Sequence, residues 1–183
     1  AEGEAGNLEA ARTVLEEYGK LPNQATNSLD SLGEVHFMNG RFADAEKYFA
    51  QAFSREPTFL EGRTLLKSAY ARWLAGDLTG ADAIAARYFE VRRGQNDPTI
   101  VWREAVWLYT TGRHDLAVKK LDTAPASQKP LIERQRAAWA RQLAATLRTD
   151  AQFSAINNGE PVSEARDRQF VFAHRYLLSQ AVT

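Results

Sequence analysis

The chain has no cysteine. That removes disulfides, thiolate metal sites and thiol nucleophiles together. It leaves the compartment open, cytoplasmic or periplasmic, because a chain without thiols tolerates either redox environment. Excess charge is missing too: 23 basic residues balance 23 acidic ones over 183 residues. A neutral chain exerts no global pull on nucleic acid or on an anionic membrane, so neither is expected as a partner. No uncharged apolar run reaches the roughly 18 residues of a membrane span, and no membrane insertion is expected. The opening AEGEAGNLEA lacks the basic and apolar stretches of a signal peptide.

Signatures of chemistry are equally scarce. There is no phosphate-binding loop, dinucleotide fingerprint or zinc-protease motif. The three histidines, His36, His114 and His174, lie far apart, and none has a second ligand at metal spacing. Glu16 and Glu17 are adjacent, and neighbouring helical residues do not face one another, so they make no carboxylate pair. The serines show no nucleophile elbow. The short basic clusters Arg92-Arg93 and Lys119-Lys120, and the series Arg134, Arg136, Arg141 and Arg148, read as solvated helix faces. The expectation is a protein that is not an enzyme, with no catalytic residue, no cofactor and no metal.

What the chain does have is a beat. Gly6, Gly40, Gly76 and Gly112 are separated by 34, 36 and 36 residues. Five residues after each stands an alanine: Ala11, Ala45, Ala81 and Ala117. Two residues after each stands Leu8, Phe42, Leu78 or His114. Self-similarity at this period marks repeats whose units cannot bury their apolar faces alone. Apolar residues recur at helical spacing throughout, as in Leu65, Leu66, Ala69, Tyr70 and Trp73.

The clearest unit spans residues 27–57. It reads Leu29-x2-Leu32-Gly33-x2-His36, then Gly40-x-Phe42-x2-Ala45-x3-Phe49, then Pro57. This resembles the tetratricopeptide pattern W-x2-L-G-x2-Y, A-x3-F, P, with Leu29 in the Trp position and His36 in the Tyr position. Helix contact explains the pattern. Gly33 and Ala45 are small, so two helices approach closely. Phe49 and Leu32 fill the space between them, and Gly40 ends the first helix where a left-handed residue is needed. Pro57 cannot continue a helix.

Further units are expected at 58–96, where two extra residues fall before Gly76, and at 97–125, where Asp97 caps and Pro98 starts a helix. Residues 7–20 repeat the second half of a unit, as if the chain began in mid-repeat and belonged to a larger protein. Residues 128–157 read as a degenerate unit and 163–181 as a capping or next-repeat helix. The resemblance implies an all-α fold, one α-solenoid domain over 1–183 built of antiparallel helix pairs in a right-handed superhelix.

The resemblance also implies a function: a scaffold that binds a peptide or helix of a partner protein in the concave groove. The family's inward positions fall on Asn27, Asp30, Glu34 and Phe37, on Arg63, Leu66, Tyr70 and Trp73, and on Trp102, Val106 and Tyr109. Asp30 and Glu34 stand where the carboxylate-clamping members have cationic or amide side chains, so an acidic tail is disfavoured. An apolar or amphipathic helix, with a basic end against the two acids, suits the face better. Tyr70, Trp73, Trp102 and Tyr109 are the candidate hot spots. Aromatics at helical spacing serve equally well as core, and Trp107 and Trp139 read as core. Alternatives remain: self-association through Phe170-Val171-Phe172-Ala173, giving a homo-oligomer, or a periplasmic scaffold in an envelope export or secretion assembly.

Overall fold

The structure, a computed structural model, describes residues 7–134. Among these residues every regular element is helical. In order they are α1 (Leu8–Gly19), α2 (Ala25–Met38), α3 (Phe42–Arg55), α4 (Arg63–Leu74), α5 (Leu78–Gly94), α6 (Ile100–Thr110) and α7 (His114–Asp122). A short turn occupies Phe59–Gly62 and a 3-10 turn Ala126–Gln128, and residues 129–134 are helical. The chain divides into two compact units, one ending at Asp97 and one starting at Pro98. That boundary falls where the third repeat is expected to open. The expected degenerate unit at 128–157 from residue 135 on, and the helix at 163–181, with Trp139, His174 and the Phe170–Ala173 stretch, lie outside the described residues.

The glycine beat has a conformational cause. Gly40, Gly76 and Gly112 have φ of +72°, +100° and +85°. Each follows the last turn of α2, α4 or α6 and closes it in the same way. The Gly40 amide donates to Phe37 O and the Arg41 amide to His36 O. Gly76 and Asp77 repeat this with Trp73 O and Arg72 O, and Gly112 and Arg113 with Tyr109 O and Leu108 O. This is the Schellman end, in which a left-handed residue satisfies carbonyls the helix leaves open. Asn96 (φ +55°) closes α5 in the same way, with its amide to Arg93 O and that of Asp97 to Arg92 O.

In the first unit each helix packs on the next, from α1 through α5. A shift of 36 residues carries α2–α3 onto α4–α5, and the small residues recur in register. Ala45 and Ala81 are fully buried, as are Ala52 and Ala69. The large residues trade places: Phe49 and Ala52 correspond to Ala85 and Tyr88, and all four are buried. A Cβ on Gly33 would stand 2.5 Å from the Phe49 ring. Where alanine (Ala69) replaces that glycine, the facing residue shrinks to Ala85 and the volume returns one turn later in Tyr88. Close packing makes such exchanges necessary.

The two extra residues before Gly76 lie between α3 and α4. Seven residues join these helices where five join α1 to α2. Leu60, Glu61 and Gly62 have φ of +48°, +57° and +79°, a left-handed run. Arg92 holds it: its Nη1 donates to Glu61 Oε2 at 2.6 Å and reaches Glu61 O at 3.4 Å, while its Nε donates to Asp97 Oδ2 at 2.7 Å. Arg92 is thus buried rather than a solvated cation. Asp97 turns back onto it, and α6 starts three residues later behind Thr99, which makes no side-chain cap.

In the second unit, Trp102 and Val106 of α6 pack with Ala124 and Ile132, flanked by Val101 and Leu121. Lys120 of α7 pairs with Glu104 of α6 at 2.5 Å.

Candidate functional site: the face shared by α2 and α4

The inward positions expected from sequence fall on the first helix of each hairpin. In the first unit they occupy α2 (Asn27, Asp30, Glu34, Phe37) and α4 (Arg63, Leu66, Tyr70, Trp73), spaced by three or four residues along one helix face. Lys67 of α4, which sequence reasoning passed over, reaches across to α2. Its Nζ donates to Asp30 Oδ2 at 2.7 Å, to Asp30 Oδ1 at 2.9 Å and to Glu34 Oε1 at 2.6 Å. It also lies 5.6 Å from the centre of the Phe49 ring. Asp30 and Lys67 are largely shielded from solvent, and Glu34 is partly open. Burial pushes the Asp30 carboxyl above its ordinary range, and the Lys67 ammonium pulls it back only in part.

This arrangement revises the charge of the face. Sequence alone sets the two acids against the basic end of a partner helix. The structure spends both on one lysine, so the cluster carries a single net negative charge, with Arg63 close enough to act on Asp30. No signal local to α2 announces this, because Lys67 is 33 and 37 residues away from its partners.

The other residues sort by exposure. Phe37 (5% exposed) and Tyr70 (8%) are buried, whereas Asn27, Arg63, Leu66 and Trp73 are half-buried. Phe37 meets Phe42 edge-on at 5.5 Å, and Tyr70 meets Trp73 at 6.5 Å and 61°. Asn27 Nδ2 donates to Tyr18 OH at 2.9 Å, and that hydroxyl donates to Gln24 Oε1, tying α1 to α2. Arg63 Nε donates to Leu60 O at 3.2 Å, bracing the left-handed turn. Outside the face, Arg72 joins Glu46 of α3 (3.0 Å) to Asp77 (2.8 Å) at the start of α5. The Gly80 amide and Arg72 together hold the Asp77 carboxyl below its ordinary range.

Trp102 and Tyr109 belong to the second unit. Trp102 is 3% exposed and packs in the α6 cluster. Together with Ala105, Val106, Ala117, Val118 and Leu121 they line an apolar cavity of 360 Å³ between α6 and α7. Trp107 is buried, as expected.

Among the described residues no cluster of His, Asp and Glu is arranged to hold a metal ion, and no helix is long and apolar enough to cross a membrane. Comparison of the chain with protein-family models, curated proteins and solved structures returned no match.

Proposed function

We propose that the chain is a tetratricopeptide-type scaffold, a non-catalytic solenoid of helical hairpins that holds a helix of a partner protein against the α2–α4 face. One observation carries the reading: the 36-residue shift that relates the two hairpins preserves the glycine ends of α2 and α4, the buried Ala45 and Ala81 seat and the placement of a common face. A surface repeated in this way suits an extended polypeptide ligand better than a compact small molecule.

The occupancy of Lys67 supports an apolar contact surface. The cation is spent on two carboxylates, so it is not available to clamp an acidic tail, and only one net negative charge is left for a basic one. Leu66 and Trp73, half-buried and two turns apart on one stripe of α4, are the contact residues this reading favours.

Site-specific photo-crosslinking in the producing cell tests it. A photoreactive residue in place of Leu66 or Trp73 should trap a polypeptide, while one at Arg87, exposed on α5, should not. No adduct at either face position, or equal adducts at Arg87, refutes the proposal.

A further inference from the structure

We propose that His36 is an acid-sensitive latch between α2 and α3, and that placing a proton on its imidazole loosens the first unit. The geometry is that of a polar group buried without support. His36 is 6% exposed, and neither ring nitrogen has a hydrogen-bond partner. Its ring lies against Tyr48 of α3, with centroids 5.1 Å apart and planes inclined by 33°. Its Nδ1 is 3.9 Å from Asp44 Oδ2, beyond hydrogen-bond reach.

A neutral imidazole tolerates this site as a flat, mostly apolar ring. An imidazolium does not, because it brings a full charge and two donors into a pocket that meets neither. The charges around it do not rescue it. Asp44 of α3 favours the cation, but that carboxylate is also 3.4 Å from Lys47 Nζ and nearly half exposed. Arg41 in the α2–α3 turn opposes it. On α1, Arg12 opposes and Glu9 favours, and these two are paired with each other at 2.7 Å. Burial outweighs the Asp44 attraction and holds His36 below the ordinary imidazole value.

The direction of the effect follows. The unfolded chain takes up the proton near pH 6.5 while the folded unit resists it. Stability is therefore whole above that pH and declines as pH falls toward the lower native value. The folded-to-unfolded ratio drops by up to about tenfold per pH unit within that window. The sequence carries the hint at the same position: His36 stands where the resembled pattern has tyrosine, a side chain that stays neutral there.

Denaturant unfolding of the full chain at pH 7.5, 6.5 and 5.5 reads this directly. The native chain should lose stability over the lower step by up to about tenfold in the unfolding constant. The His36→Phe chain should lose clearly less, its remaining histidines being unchanged. Parallel losses in the two chains overturn the proposal. Should His36→Phe fail to fold, an NMR titration of the native imidazole decides. A midpoint below the ordinary value, moved lower still by Asp44→Asn, supports the latch, and a midpoint at or above the ordinary value refutes it.

Discussion

At the scale of single residues, the molecule is governed by what each side chain leaves room for. Gly33 exists for Phe49: the aromatic ring occupies the place where a Cβ would sit. Gly33→Ala should therefore destabilise the first unit by about 1–3 kcal/mol, the usual penalty of overpacking. Phe49→Leu on the same chain should recover part of that loss, since it empties the contested volume. A double-mutant cycle by urea unfolding measures the coupling, and strictly additive losses would show that the two side chains do not compete. Sequence reasoning named Gly33 as a site of close helix approach and Phe49 as a filler between the helices, and the structure brings the two into direct contact. The same reasoning missed Lys67 and took Arg92 for a solvated cation, because Asp30, Glu34 and Glu61, which hold them, lie more than 30 residues away.

At the scale of elements, the helices are delimited by their ends more than by their interiors. Gly76 meets no neighbour within 4 Å, yet its φ of +100° makes any side chain strained. Gly94 likewise meets no neighbour, but sits in the last turn of α5 with ordinary helical backbone. The same substitution should then act in opposite directions. Gly76→Ala should cost about 1 kcal/mol, whereas Gly94→Ala should stabilise by up to about 1 kcal/mol through helix propensity. Thermal unfolding followed by circular dichroism distinguishes them, and a shared sign would mean that backbone geometry is not what selects glycine at position 76. The left-handed Leu60–Gly62 run was invisible as a conformation. The two surplus residues were countable, but only the Arg92 grip on Glu61 shows where they are stored.

At the scale of the whole molecule, the question is which aromatics belong to the interior. Tyr70 and Trp102, candidate hot spots by sequence, are buried. Each alanine variant should lose about 3–5 kcal/mol, as large core truncations do, with a correspondingly lower melting temperature. Trp73→Ala, from a half-buried position, should lose clearly less. An unchanged melting temperature for Tyr70→Ala would return that residue to the proposed contact face.

The sequence by itself determined the all-helical build of the described residues, the glycine ends of α2, α4 and α6 and the seats of the small residues. Those depend on local backbone preference and on a period, both of which are written in neighbouring positions. Only the tertiary structure decided that Asp30 and Glu34 share Lys67, that Arg92 is buried against Glu61 and Asp97, that His36 lacks a partner, and which aromatics face inward. Those outcomes depend on which side chains from distant helices meet, and on how much solvent remains between them, and neither is a property of any one segment.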